Sequence, residues 1–297
     1  MRTEFKIFLT IWIVYIFFLS DYGGNYMADS MLAGTMALVD NGNFEIDDYV
    51  KEGCKITGCD NSFYNGKIYP GYAPGNSVLA VPLYIIIKPF LGFFLSDYLL
   101  GYSKPIISLI ILNIFATIFI TAFLSALLAV LIYRFSENIT NNKKERLWVT
   151  FIFAFGTLFF TYSTAYFSRI SASFFLFCSF YLLFLMKEDR LKKTKKLLFL
   201  TGFLSAISIN LDYSTILLTG LFFIYLISFF RGKKIIYYFI VILVPIILLM
   251  SYHYAVYDNP LKSSYQYHRD LNGQEYIAEK ELNLPNLERL WGLSFSP

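Results

Sequence analysis

The sequence predicts an all-α polytopic membrane protein of about seven transmembrane helices, with an external loop and an interfacial helix after the first span. Three observations carry that expectation. Of 297 residues, 57% are hydrophobic and only 15% charged, and the mean hydropathy is +0.54, a balance that excludes an ordinary soluble domain. Apolar runs near the length of a bilayer crossing, about 20 residues, recur along the chain. The basic residues gather in the short segments between those runs, which is how topology is encoded.

The first run, 5–22, is followed by no small-residue cleavage site, so it reads as a retained signal-anchor rather than a removed leader. After it comes a polar loop, 21–76. It holds eight carboxylates (Asp21, Asp29, Asp40, Glu45, Asp47, Asp48, Glu52, Asp60) against three lysines (Lys51, Lys55, Lys67). It closes on an aromatic, Gly- and Pro-rich run from Phe63 to Gly75. Pro70-Gly71 and Pro74-Gly75 are turn dipeptides that also permit close backbone approach. A multispanning chain that gathers eight of its 21 carboxylates in one early loop is expected to do its chemistry there, with the spans as scaffold.

Next stands an apolar stretch, 77–95, interrupted by Pro82, Lys88, Pro89 and Gly92. The remaining apolar runs are 106–133, 147–167, 170–186, 197–211, 214–230 and 235–252. Three basic clusters separate them: Arg134 with Lys143, Lys144 and Arg146; the stretch from Lys187 to Lys196; and Arg231 with Lys233 and Lys234. The positive-inside rule makes all three cytoplasmic, together with Arg2 and Lys6. The acidic loop is then external, and an odd number of crossings must separate it from Arg134. If 77–95 and 106–133 both crossed, that count would fail. The interrupted stretch 77–95 is therefore expected to lie in the interface beneath the loop. This divides the chain into a membrane module, 1–252, whose external loop 21–104 carries the interfacial helix 77–95, and an external segment, 253–297.

No Asp, Glu, Lys, Arg or His falls within a span from 106 onward until His253. Ion-coupled carriers place such groups at mid-membrane, which argues against a coupled transporter. The basic clusters read as topology signals rather than a nucleic-acid footprint. Cys54 and Cys59 share the external loop, where an oxidising exterior permits a disulfide, while Cys178 packs as an apolar residue. His268 has no metal-ligand spacing around it, so no metal or other cofactor is expected from the residues, a divalent ion at the carboxylates staying open. Asn138-Ile139-Thr140 fits the glycosylation sequon in a loop expected to be cytoplasmic. Phosphate-binding glycine motifs are missing, which argues against ATP or nucleotide sugars as direct substrates.

The loop resembles that of the GT-C class of membrane glycosyltransferases, especially prokaryotic relatives of protein O-mannosyltransferases and aminoarabinose transferases. The likeness lies in Phe44-Glu45-Ile46-Asp47-Asp48-Tyr49, in the run from Asp60 to Tyr69, and in Tyr72-Ala73-Pro74-Gly75-Asn76 leading into 77–95. Weaker echoes are Gly156–Tyr162, Asp212-Tyr213 and Tyr257–Leu261. Two features depart from the pattern: Arg169 stands where such relatives tend to have His, and the chain ends on Trp291–Pro297, similar to an element that in them leads into further spans. A truncated or split member is the expectation that follows.

The resemblance implies a GT-C-like bundle that transfers a sugar from a polyprenyl-phosphate donor to a protein or glycolipid acceptor at the external face. A loop carboxylate would act as general base, and cations would meet the leaving phosphate. Motif context ranks Asp47 first and Asp60 second. Asp21 and Asp29 lie near the end of the first span, where such relatives often keep their catalytic acid. Lys67, Lys88 and Arg169, with Lys262 and Arg269, are the candidate phosphate contacts. Tyr69, Tyr72, Asp212 and Tyr213 complete the expected substrate-binding set, although Asp212-Tyr213 also reads as a plain polar turn and Lys88 as a snorkelling side chain. Most of the eight carboxylates would simply solvate the loop. The competing expectations are a non-catalytic protein or split partner that binds the lipid carrier and, less favoured, a transporter or flippase.

Overall fold

The computed structural model describes residues 3–20, 26–50, 60–94, 98–99, 102–230 and 232–268. Asp21, Cys54, Cys59 and Arg269 lie outside them. The architecture is helical, with two short antiparallel hairpins. The helices are α1 (Thr3–Phe17), α2 (Tyr26–Asn41), α3 (Asp47–Val50), α4 (Gly75–Phe94), α5 (Lys104–Ala116), α6 (Phe123–Phe135), α7 (Lys143–Phe155), α8 (Phe159–Ser163), α9 (Ser168–Lys187), α10 (Lys195–Leu211), α11 (Thr215–Phe229) and α12 (Ile236–Tyr257). A π-helical turn, Thr117–Ala122, joins α5 to α6, and a 3₁₀ turn, Ser136–Asn138, extends α6.

Four helices are long and apolar enough to cross a membrane: Gly75–Phe93, Lys104–Asn138, Ser168–Lys187 and Lys233–Tyr257. The chain is thus a helical membrane protein. One sequence expectation stays open and another needs correction. The stretch expected not to cross, 77–95, forms a helix that by length and composition alone is able to. The run 147–167 is broken into α7 and α8, because the chain leaves the helix at Gly156. The segment 21–104, expected to be an external loop, is also more structured than a solvated loop. Its described residues contain α2, buried from Met27 to Ala37, α3, both hairpins and α4.

The bundle is built from α1, α6, α7 and α9 to α12. Without a hydrophobic drive between helices in lipid, small residues and interhelical hydrogen bonds hold such a bundle. Ser179 Oγ donates to the Thr201 carbonyl (2.9 Å) and shares a hydrogen bond with Ser205 Oγ (2.7 Å), tying α9 to α10. Thr219 Oγ1 donates to the Ser205 carbonyl (3.2 Å), adding α11. Gly202 lets α12 approach α10 so closely that a Cβ there would stand 2.6 Å from the Tyr238 carbonyl oxygen. At the basic end, Arg146 is buried beneath α6, 4.1 Å above the Tyr133 ring and ion-paired to Glu137. Its charge therefore serves packing.

The continuous helix Lys104–Asn138 has 35 residues, on the order of 50 Å, against a hydrocarbon core of roughly 30 Å. Helix α1 runs antiparallel beside its lower part, with Trp12 Nε1 donating to the Ile118 carbonyl (3.0 Å) and Phe8 against Phe123. The upper part, α5, instead packs on α2 and α4. These three helices form a second layer with its own core of Met31, Leu32, Met36, Tyr84, Leu109 and Leu112. Ser77 Oγ donates to the Met31 carbonyl (2.7 Å) and Thr35 Oγ1 to the Ser77 carbonyl (2.9 Å), so α2 and α4 lie side by side.

The layer is seated on the bundle at the first turn of α4. There Asn76 Nδ2 donates to the Leu211 carbonyl (3.1 Å) and Tyr166 Oη to the Asn76 carbonyl (2.8 Å). The hairpin of β1 (Asn61–Tyr64) and β2 (Lys67–Pro70) completes it. Asn65 and Gly66 both have positive φ (48° and 76°), as a two-residue type I′ turn requires.

Candidate functional site

The segment from Asn41 to Asp48 borders two clefts of different chemistry. The first, of about 460 Å³, is polar and lined by Asn41, Asn43, Glu45, Asp47, Asp48 and Lys67. Asp47 opens α3, and its Oδ2 accepts the Ile68 N–H (3.0 Å), while the Ile46 N–H donates to the Ile68 carbonyl (2.9 Å). Residues 46 and 47 thus clasp β2, and the bond fixes how the Asp47 carboxylate is held in the cleft. Lys67 is ion-paired to Glu45, and that hydrogen bond holds its ammonium above the ordinary lysine range.

The second cleft, of about 470 Å³, is apolar. Its wall runs from Phe175, Phe203, Ile207, Val244 and Leu248 of the bundle up to Pro74, Gly75 and Val78 at the start of α4 and to Phe44. Phe44 stands edge-on to Tyr252 at 4.9 Å. Residues 43–45 stand between the clefts: Phe44 lines the apolar one and its neighbours Asn43 and Glu45 line the polar one. In the wall of the apolar cleft the close approach of α4 to α10 requires glycine: a Cβ at Gly75 would stand 2.3 Å from the Asn210 carbonyl oxygen.

A third group gathers around Asp60. Its Oδ2 accepts from Tyr72 Oη (2.6 Å), and the Tyr72 ring meets Tyr265 (6.2 Å) and His268 (5.8 Å). Burial, then the Asp60 carboxylate, push the Tyr72 phenol well up, and the Arg169 charge opposes them. This brings Arg169 within electrostatic reach of the Asp60–Tyr72 pair. Arg169 is the second residue of α9 rather than a loop residue, and its guanidinium donates to Tyr162 Oη (3.3 Å). His268 Nε2 donates to the Gly71 carbonyl (2.7 Å), pinning the segment after α12 onto the hairpin.

The other expected site residues have structural partners. Asp29, 1% exposed in the first turn of α2, accepts from Asn113 Nδ2 (3.5 Å). Tyr69 is buried in a cluster with Ile209, Leu249 and Tyr257. Asp212 Oδ1 accepts from the Ser214 N–H (3.0 Å) and Oγ (2.7 Å), a polar turn at the entry to α11. Tyr213 is hydrogen-bonded to His253 Nε2 (3.0 Å). Lys88 is ion-paired to Asp40 (2.7 Å), which also accepts from Tyr49 Oη (2.8 Å) and Tyr84 Oη (3.1 Å).

The sequence reading did not single out Asp40, Phe44 or Tyr166. Asp40 and Lys88 lie far apart in sequence, and no local pattern pairs them. Phe44 stood inside the Phe44–Tyr49 motif and could have been read as its apolar member. Among the described residues no group of three or more His, Cys, Asp or Glu side chains is arranged to hold a metal. The chain matches no family model, no curated protein and no solved structure.

Proposed function

We propose that this chain transfers a sugar from a polyprenyl-phosphate donor to an acceptor at the external membrane face. The observation that carries the reading is that the segment 43–45 lines both clefts, Phe44 the apolar one and Asn43 and Glu45 the polar one. A ligand with a long apolar tail and a polar head would lay the tail in the apolar cleft and the head beside the carboxylates. Asp47 is the proposed general base. One of its oxygens is committed to Ile68, which orients the carboxylate, and the other takes the acceptor proton. Lys67 and Arg169 are the proposed cations for the phosphate. Asp60, hydrogen-bonded by Tyr72, is the alternative base.

In this reading the seven crossings are α1, the α5–α6 helix, α7 with α8, α9, α10, α11 and α12, and the N-terminus is cytoplasmic. Helix α4 lies in the interface. Its outer face, with Val78, Ile85, Ile86, Phe90 and Phe93 exposed, would dip into lipid, while Ala80, Tyr84, Ile87 and Leu91 hold α2. The start of α4 at the upper ends of α9 and α10 supports that placement.

Transfer from a radiolabelled polyprenyl-phosphate sugar, measured in membranes, tests the reading. Asp47→Asn keeps shape and removes basicity, and it should lower the rate by about 10²–10⁴. Asp60→Asn, Asp29→Asn and Asp21→Asn belong in the same series. Wild-type rates in all four would remove the acidic layer from the chemistry. Donor binding without transfer in the unaltered protein would leave a lipid-carrier-binding protein instead.

A further inference from the structure

At the basic end of the bundle, the turn between α9 and α10 packs on the turn between α11 and α12. Lys193 stands over the Phe229 ring (5.7 Å) and Lys195 over the Tyr237 ring (5.0 Å). Two of the helices long enough to cross a membrane reach this end, Ser168–Lys187 by its last residue and Lys233–Tyr257 by its first. The end therefore stands where acyl chains give way to headgroups. The segment from Lys187 to Lys196 carries six basic residues against two acidic ones. The 3₁₀ turn Lys233–Ile235, packed on α10, adds Lys233 and Lys234.

How these charges are held decides what they can do. Lys193 is ion-paired to Asp189 (2.8 Å), and Arg190 Nη1 donates to Asn138 Oδ1 (2.7 Å), so both serve the turn itself. Lys187 and Lys195 rest on ring faces instead, 5.1 Å from the Tyr225 centroid and 5.0 Å from that of Tyr237. A carboxylate would cancel an ammonium's charge, whereas a ring fixes its place and leaves the charge. Lys196, Lys233 and Lys234 are exposed. An apolar surface continues from these lysines. One turn along α10 from Lys195 comes Phe199, and one turn along α12 from Tyr237 comes Ile240, both exposed. A further turn on, Phe203 and Val244 line the apolar cleft.

We propose that this end of the bundle binds an anionic phospholipid. Its phosphate would lie between Lys195 and the Lys233–Lys234 turn, and its acyl chains along the exposed apolar side chains that lead from there to the cleft. A zwitterionic lipid brings its own cation to the same lysines and gains less from them. The site requires only that the ends of α9 and α12 lie at a leaflet surface, so it stands apart from the transfer reaction and survives its failure.

Native mass spectrometry of the full chain, released from micelles with equal amounts of dioleoyl phosphatidylglycerol and dioleoyl phosphatidylcholine, tests it. The anionic lipid should be retained in at least about tenfold excess. Lys195→Gln, Lys233→Gln and Lys234→Gln together should abolish the excess. Lys143→Gln with Lys144→Gln, exposed at the start of α7, should leave it unchanged. Equal retention of the two lipids by the unaltered protein overturns the proposal. So does an excess that persists in the triple variant, or one lost equally in both variants, the result expected of attraction to net charge alone. Phosphatidylglycerol should also raise Tm in micelles, and sn-glycerol 3-phosphate at the same concentration should not. An equal rise with both overturns the lipid assignment, by showing a site for free anions.

Discussion

At the scale of single residues, the protein turns on side chains whose partners lie far off in sequence. Tyr166 reaches the Asn76 carbonyl and Asn76 reaches Leu211, so three separate segments meet in one hydrogen-bonded step. Gly75 makes the approach possible. Its replacement by alanine would press a methyl group against the Asn210 backbone, which unlike a side-chain tip has no easy way to move aside. Gly75→Ala should therefore destabilise the protein by about 1–3 kcal/mol, the usual cost of overpacking, read as a lowered Tm. Gly42, with open space around it, tests the specificity of the effect by contrast, through its backbone conformation alone. A Gly75→Ala protein with unchanged Tm would mean that α4 is not seated on α10 as described. Asp47 and Asp60 show a related economy, since each is held by a neighbouring donor, Ile68 N–H or Tyr72 Oη, that fixes its orientation.

At the scale of elements, α4 is the ambiguous piece. Its composition permits a crossing, whereas charge parity in the sequence argues against one, and its packing on α2 and α5 places it in the second layer. The turn residue Asn65 precedes α4 and Lys104 follows it, so the two positions report on opposite ends. Cysteines at Asn65 and Lys104 should both react with an impermeant thiol reagent added from outside. Opposite accessibility would make α4 a crossing helix and undo the seven-span arrangement. Asn76, although nearer the start of α4, is fully enclosed and would stay unlabelled in either topology.

At the scale of the whole molecule, the bundle and the outer layer share one apolar cleft, and the proposed function depends on its being open. Ile207 lies in the cleft wall, half-buried on α10. Ile207→Trp should fill the space and raise KM for long-chain donors at least about tenfold, equivalent to ~1.4 kcal/mol, while a donor with a shortened tail is less affected. Equal KM values for both donors would separate the cleft from lipid binding.

Much of this was written in the order of the residues. Apolar runs set the helices to within a few residues, because in lipid every backbone group must be paired within its own segment. The position of α10, expected at 197–211 and found at Lys195–Leu211, follows from composition and the Thr194 cap alone. Gly156 broke one expected span because its helix-ending role depends on the neighbouring turn, which hydropathy does not register. Asp47, Asp60 and Lys67 were legible as candidates, since their residue types and motif settings are local. Their partners were not, nor was the burial of Asp29, the Asp40–Lys88 pair, or the place of Phe44 in the wall of the apolar cleft. The sequence by itself determined the membrane class, the limits of most of the apolar helices and the gathering of eight carboxylates in one early segment, all of which rest on local hydrophobicity and charge. Only the tertiary structure decided which carboxylates are buried, paired or lining a cleft, because those outcomes depend on contacts between segments whose spacing along the chain encodes nothing about their meeting.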